Sequence, residues 1–363
     1  SKSRDTREDV DIIDELYLSS NAINSITPLA YLVSNQETLS ARTKTMINVF
    51  QGLINSPLII EPRRSGNNPL ESLLIEKIHL LCKFKPFKEK RNTYLPFLAD
   101  VFSSDLKTLC KNPSYFLSEL EGFLNVYSFI YLTQLTIHLC IPDNRYKTPS
   151  AKTLYFILET ERASRERHEC NQYGYDYLFS KTRGMALSLF PYLGYFSRIS
   201  DMPSWEITAN YNDGFIHKIS EFNQELANLF GEEYQYDNSL QGALNKGAAL
   251  QKQIFENSTR KDANKKVVDI FEKTFAAGFI TDRKVAGKYF VLNANTLLLL
   301  TNLVIGGADE DKLLIDDVIE GFKQRGIWLD IKSKKALLKF YENVGNIEKL
   351  SDSGDAVYVK TTI

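Results

Sequence analysis

The chain has 363 residues, long enough for two or three domains, and its 43% hydrophobic and 25% charged residues give it a globular composition. Its 44 basic and 45 acidic side chains leave a formal net charge of −1, so nothing global draws it to nucleic acid or to an anionic membrane; any such affinity must be local. Cys82, Cys110, Cys140 and Cys170 are widely spread with no pair at metal-ligand spacing, which points to buried thiols in a reducing cytosol rather than to disulfides or a metal centre.

No cationic start leads into an apolar run, so no secretory signal is expected, and a chain that opens without Met is expected to lack an N-terminal region. Residues Asp9 to Leu18 and Arg42 to Ile54 have the spacing of amphipathic helices, the second with Met46, Val49, Phe50 and Leu53 on one face. Pro57, Pro62 and Gly66 make the next stretch a loop, and Asn68-Pro69 opens a helix through Leu73, Leu74, Ile78 and Leu81. That helix runs into Lys83-Phe84-Lys85-Pro86-Phe87-Lys88-Glu89-Lys90-Arg91. Lys83, Lys85, Lys88, Lys90 and Arg91 offer a phosphate-tracking patch with two rings for stacking on unpaired bases. The plainer reading, a solvated loop pinned by its phenylalanines, is the one the rest of the composition favours.

Asn112-Pro113 repeats the start signal and begins a long apolar helix. Gly122 to Cys140 holds nineteen residues without a formal charge, near the length a bilayer demands. Asn125, Ser128, Thr133, Gln134, Thr136 and His138 lie inside it, and their cost in lipid favours a helix buried in protein, with no membrane partner. Pro142 to Pro149 reads as a loop with Arg145 and Lys147 exposed. Lys152 to about Ser180 reads as another long helix whose Glu161/Arg165 and Arg162/Glu166 pairs stabilise an exposed stretch. Tyr173, Tyr175, Tyr177, Tyr192 and Tyr195, with Phe179, Phe190 and Phe196, are read as core and interface rings rather than base-stacking platforms. Helices over Phe215 to Phe230, Leu240 to Phe255 and Asn264 to Phe275 follow, and strand patterns are scarce before residue 289.

The C-terminal stretch reads as a unit of its own. Tyr289-Phe290-Val291-Leu292 is a strand candidate, and Asn293 or Asn295 can cap a helix through Leu297, Leu300 and Val304 that Gly306-Gly307 ends. A second helix follows with Asp309-Glu310-Asp311 as its acidic first turn and stops near Gly326. A third, capped by Ser333, turns Leu337, Phe340, Tyr341 and Val344 inward and Lys332, Lys335 and Lys339 to the opposite side. Ile347 to Leu350 and Ala356 to Thr361 close as a hairpin over the turn residues Ser351 to Asp355. Strand, three helices and a two-stranded wing describe a winged helix, whose third helix commonly enters the DNA major groove. The fold class expected is therefore mostly α: a multi-helix body over 1–280, itself divisible near 142–150, followed over 281–363 by a winged-helix-like module with a small β-hairpin wing. The candidate DNA-binding residues of the module are Lys332, Lys334, Lys335, Lys339, Lys349 and Lys360. From Tyr289 to Ile363 there are nine Lys/Arg against eleven Asp/Glu, so docking onto a protein competes with DNA as the module's task.

Motifs for chemistry are missing. No Gly-x-x-x-x-Gly-Lys-Ser/Thr loop occurs, and His79, His138, His168 and His217 are isolated, with His168-Glu169-Cys170 the one close His/Cys neighbourhood. A carboxylate-metal nuclease normally carries its Asp on a strand with Glu-x-Lys nearby, which a helical body does not offer. The chain is expected to be no enzyme and to need no cofactor or metal; divalent-dependent nicking by the purified chain would reveal the remaining alternative, a metal nuclease.

Two runs carry a resemblance. Leu154-Tyr155-Phe156-Ile157-Leu158-Glu159-Thr160-Glu161-Arg162-Ala163-Ser164 and Leu350-Ser351-Asp352-Ser353-Gly354-Asp355-Ala356-Val357-Tyr358-Val359-Lys360 resemble the G component (DptG, also called DndG) of the DNA phosphorothioation-dependent restriction system. The resemblance covers most of the chain. It implies a cytoplasmic, non-catalytic subunit of a bacterial antiviral defence complex that acts on unmodified DNA, with ATPase and helicase-like subunits of the same system as partners and double-stranded DNA as a further one. The family has no catalytic motif to carry over, so no residue here inherits a role.

Overall fold

A computed structural model describes residues 50, 52–53, 93–158, 165–181, 184–211, 213–308, 310–349 and 357–363. The helices expected before Asn68 and over 69–81, the basic stretch Lys83 to Arg91, the polar run 159–164 and the turn 351–355 lie outside the described residues, apart from Phe50, Gly52 and Leu53, which are helical. The chain divides into two compact units, one of residues 1–121 with 306–309 and 363, the other of 122–305 with 310–362.

In the first unit, α1 (Pro96–Cys110) starts on a proline and buries Leu98, Phe102, Leu106 and Leu109 along one face. The ring of Phe50 stacks on Phe102 at 5.9 Å, and Ser103 Oγ donates to Leu53 O at 3.1 Å. Asn112 caps the next helix, α2 (Pro113–Cys140), its Oδ1 accepting from the N–H groups of Ser114 and Tyr115.

The second unit is mostly helical. From Gly122 onward, α2 buries polar as well as apolar side chains, and each polar one finds a backbone partner. Thr136 Oγ1 donates to Leu132 O, Gln134 holds both the N–H and the C=O of Lys152, and His138 Nε2 donates to Ser150 O at 2.8 Å. No helix among the described residues is long and apolar enough to cross a membrane. After α2 the chain forms α3 (Pro142–Arg145), β1 (Tyr155–Phe156), α4 (Arg165–Gln172), α5 (Tyr175–Phe179), α6 (Ala186–Ile199), α7 (Ser204–Asn210), α8 (Ile216–Phe230), α9 (Leu240–Asn257) and α10 (Arg260–Ile270). A π-helical turn, Phe271–Phe275, extends the last of these. The boundaries of α8 and α9 follow the apolar spacing closely, with Gly231 ending α8 in the left-handed region and Ser239 capping α9.

Two expectations fail here, each for a physical reason. Lys152 to Ser180 is not one long helix. Leu154 to Leu158 is extended because it fills the gap between two backbone edges: β1 runs parallel to β5 (Trp328–Leu329), with Tyr155 opposite Trp328 and Phe156 opposite Leu329, while Ile157 N donates to Phe290 O on β3 (Lys288–Phe290). The ring of Phe156 joins Phe129, Phe279 and Phe290 in an aromatic core in which Phe129 and Phe279 stack at 4.4 Å. Arg145, expected in solvent, is 3% exposed. Its Nε donates to Leu139 O, its Nη1 to Asn245 Oδ1, and its guanidinium lies 4.7 Å from the centre of the Tyr192 ring, so rings and carbonyl oxygens replace water around the charge. The tyrosine-rich segment is core in part: Tyr195 and Phe196 are fully buried and Tyr195 donates to Asn223 Oδ1, whereas Tyr177 and Tyr192 are half-buried and Tyr173 is exposed.

The C-terminal part begins with the antiparallel hairpin β2 (Ile280–Asp282) and β3, whose turn brings Gly287 to φ +87. Then come α11 (Ala294–Gly307), capped by Asn293 accepting from Thr296 N, β4 (Lys312–Leu314), α12 (Ile315–Gln324), β5, α13 (Ile331–Val344), β6 (Ile347–Lys349) and β7 (Val357–Lys360). The expected first strand, Tyr289 to Leu292, lies partly in β3 and pairs with β2 and the body, not with the C-terminal hairpin. The third strand beside the hairpin is β4, giving an antiparallel sheet of order β4-β7-β6. Helix α12 therefore starts at Ile315, and its acidic first turn is Asp316-Asp317. Leu313, Val359 and Ile347 point to one side, where Val359 is fully buried, while Lys312, Lys360, Tyr358 and Glu348 share the other. The position 280/281, expected to separate body from module, falls inside the second unit.

Candidate nucleic-acid interface

Helix α13 carries most of the candidate residues. Its cap is Asp330, whose Oδ1 accepts from Ser333 N at 2.8 Å; Ser333, expected at that position, instead sits buried in the first turn and accepts from Leu158 N at 2.9 Å. Asp beats Ser here because the turn places its carboxylate at the positive end of the helix. The buried stripe is Ser333, Leu337 and Tyr341, four residues apart. Tyr341 shares a 2.6 Å hydrogen bond with Thr301 Oγ1 on α11, and burial pushes its phenol well above the usual range. Phe340 is half-buried, but Val344, expected in the apolar stripe, is exposed because the helix ends there, with Gly345 at φ +80.

Lys332, Lys335 and Lys339 are exposed on the side away from that stripe, and Lys334 is half-buried beside them. None of the four forms an ion pair among the described residues. The two lysines of the hairpin differ. Lys349 Nζ lies 2.7 Å from Glu342 Oε1, and Lys360 Nζ lies 2.6 Å from Glu348 Oε2. Glu348 also takes Lys312, at 2.7 Å, so one carboxylate bridges two lysines placed directly opposite each other on β4 and β7. Lys312, then Lys360, hold its carboxyl down at about 2, and the Lys312 ammonium also sits 5.2 Å from the centre of the Tyr358 ring.

Lys332, Lys335 and Lys339 thus stand together with charge to spare, whereas Lys349 and Lys360 are already answered by acids. Lys83, Lys85, Lys88, Lys90 and Arg91 lie outside the described residues. The counter-charges Glu342 and Glu348 escaped the sequence reading because which lysine they meet depends on the hairpin register, which spacing alone does not fix.

No family model and no curated protein matches this chain.

Among the described residues no group of three His, Cys, Asp or Glu side chains gathers as metal ligands would. Another titratable cluster satisfies itself: Glu272, on the π turn, accepts from Lys288 Nζ at 2.8 Å and from Tyr175 OH, and although burial pushes its carboxyl up, these two hydrogen bonds bring it below its usual range. What α13 offers chemically is a row of cations along about two turns of helix, from Lys332 to Lys339, with an apolar residue, Ile331 at 62% exposed, at its leading end. That arrangement can neutralise a polyanion or seat against an acidic protein surface.

Proposed function

We propose that residues 294–360 form a winged helix and that the chain is a non-catalytic adaptor or DNA-engaging subunit of a DNA phosphorothioation-dependent restriction complex in the cytoplasm, acting beside ATPase and helicase-like subunits on double-stranded DNA. The observation that carries the winged-helix reading is the sheet order β4-β7-β6, with α11 before β4 and α12 and α13 between β4 and β6, and with α13 presenting outward three lysines that form no ion pair among the described residues. A helix so placed can lie along a duplex with its cations on phosphates. The resemblance of the runs 154–164 and 350–360 to the G component carries the assignment to the restriction complex.

Binding titrations with double-stranded DNA at two salt concentrations test this. Changing Lys332, Lys335 and Lys339 together to Glu is expected to abolish measurable binding, and changing them to Gln to lower the salt slope by about 2–3, since each phosphate contact contributes roughly 0.9. Affinity and slope equal to those of the unaltered chain would remove these lysines from any DNA interface.

A second reading has its own support. Ile331 and Val344 are exposed at the two ends of α13, and the hairpin lysines are neutralised, both of which suit a protein partner better than a groove. On this reading the module docks a partner subunit and never touches DNA. Co-purification with the ATPase subunit, together with no DNA shift by this chain alone, selects it.

A further inference from the structure

Helix α10 is almost all surface. Of its eleven residues only Asn264 and Val268 are buried, and the π-helical turn adds Phe271 to that inner stripe. A helix so exposed is expected to be polar on every other side, since three turns hold together poorly without packing. This one is not. Ala263, Val267 and Ile270 are exposed, Val267 at 39% and Ile270 at 53%, and at 3.6 residues per turn they fall within about 60° of one another, a second apolar stripe beside the buried one. At the N-terminal end of α10 the Arg260 guanidinium lies 5.8 Å from the centre of the Phe230 ring, so apolar surface continues onto the end of α8, where Leu229 and Phe230 are both exposed.

The flank of the stripe indicates what covers it. Asp262, Lys266, Asp269 and Lys273 are exposed and also fall within about 60° of one another, on the outer side of the stripe. Lys273 leans on Asp269 at 3.5 Å, an exposed pair of the kind that water screens, and Asp262 and Lys266 have no ion pair among the described residues. The order acid, base, acid, base is its own complement when reversed. Asp262 stands five residues before Val267 and Lys273 five after Val268, while Lys266 stands one before Val267 and Asp269 one after Val268. A two-fold axis between Val267 and Val268 therefore sets Asp262 against the partner's Lys273 and Lys266 against the partner's Asp269. A parallel pairing would set each charge against its like, and a partner of one sign, acidic or basic, would be repelled by half of the flank.

We propose that this side of α10 is a self-association face: two copies of the chain pair antiparallel through Ala263, Val267 and Ile270, with Leu229 and Phe230 widening the contact and the charged flank fixing its direction. A standard interface covers about 800 Å² on each partner, and three turns of helix with two further side chains cover less, so the dimer is weak, with a Kd on the order of 10 μM. Pairing leaves α13 uninvolved, so the DNA reading stands whichever way this one falls.

The test is sedimentation velocity of the full chain from about 1 to about 200 μM, which brackets that Kd. A reversible shift from monomer to dimer is expected. Val267→Glu with Ile270→Glu is expected to leave a monomer throughout, with circular dichroism and the urea midpoint showing that the variant folds; should it unfold, the charge variants, at solvated positions, still decide. Lys266→Glu and Asp269→Lys are each expected to weaken the dimer by about tenfold or more, because symmetry turns one changed charge into two repulsive contacts, and the two together to restore it to within about threefold. A stray apolar contact would show no such restoration. A monomer up to about 200 μM, which would leave the face to a different protein, a dimer indifferent to the two glutamates, or a double charge variant no tighter than the single ones would each overturn the proposal.

Discussion

The backbone N–H of Leu158 donates to the hydroxyl of Ser333 at 2.9 Å, tying the start of α13 to the segment that follows β1, 175 residues earlier in the chain. Together with the pairing of β1 and β5, this bond makes the outward helix part of the same packed body as residues 122–305. The position of the lysine face is therefore set by the aromatic core beneath β1 as much as by the helices around it.

Ser333→Ala removes the acceptor while leaving the Asp330 cap in place. The Leu158 N–H is then left without its partner, and the expected loss is about 1–2 kcal/mol in urea unfolding, with little change in the cooperativity of the transition. A loss below about 0.5 kcal/mol would mean that Leu158 finds another acceptor and that the bond does not hold α13 in place.

Glu348→Gln is expected to strengthen DNA binding, if α13 is the DNA-contacting element. In the native protein Glu348 pairs with both Lys312 and Lys360, its single negative charge shared between them. Removing its charge leaves two ammonium groups opposite each other at the hairpin, available to phosphate, and the salt slope should steepen by up to about 2. Lys360→Gln alone, which removes a cation already matched, is expected to change affinity less than about twofold, a difference of under roughly 0.5 kcal/mol. Weaker binding by Glu348→Gln would show that the hairpin lysines do not face the duplex.

Gly326→Ala should be costly for two separable reasons. Gly326 sits at φ +81 between α12 and β5, a conformation that strains an L side chain, and a methyl group there would overlap the Gln134 amide. That amide holds both the N–H and the C=O of Lys152, so moving it breaks a buried pair of hydrogen bonds. A loss of about 2–4 kcal/mol is expected by chemical denaturation. Gln134→Ala should itself destabilise, and combining it with Gly326→Ala should cost less than the sum, because the clash disappears with the side chain.

How much of this was legible in the sequence depended on whether the signal was local. The limits of α8 and α9, the Asn112 and Asn293 caps and the lysine side of α13 are written in spacings of three and four residues, and the structure follows them. Leu154 to Leu158 was misread because a short continuous apolar run suits a buried strand as well as a helix, and its partners, Trp328-Leu329 and Phe290, lie more than 130 residues away. Arg145 was misplaced for the same reason: Tyr192 and Asn245, which accept its charge, are remote in sequence. Strand β4 was hidden because three residues, Lys312–Leu314, are too few to show alternation, and only the exposed edge of β7 makes them a strand.

His138 gives the protein a predictable acid sensitivity. Its ring is 5% exposed in α2, and burial lowers its pKa from 6.5 to about 4; the hydrogen bond to Ser150 O pulls the other way, and Lys152 nearby adds to the lowering. The unfolded chain takes up a proton at this ring near pH 6.5, whereas the folded chain does so only near 4. Between those values the unfolded state holds more protons, so stability falls as the pH drops from about 6.5 toward 4, by on the order of 3 kcal/mol in all, and this group adds no further slope outside that window. Carboxylates titrate over part of the same range, so the comparison that isolates the ring is with His138→Gln, which keeps an N–H donor for Ser150 O and cannot be protonated. Urea midpoints measured at pH 7 and pH 4.5 are expected to drop more in the native chain than in the variant, and equal drops would place the acid sensitivity elsewhere.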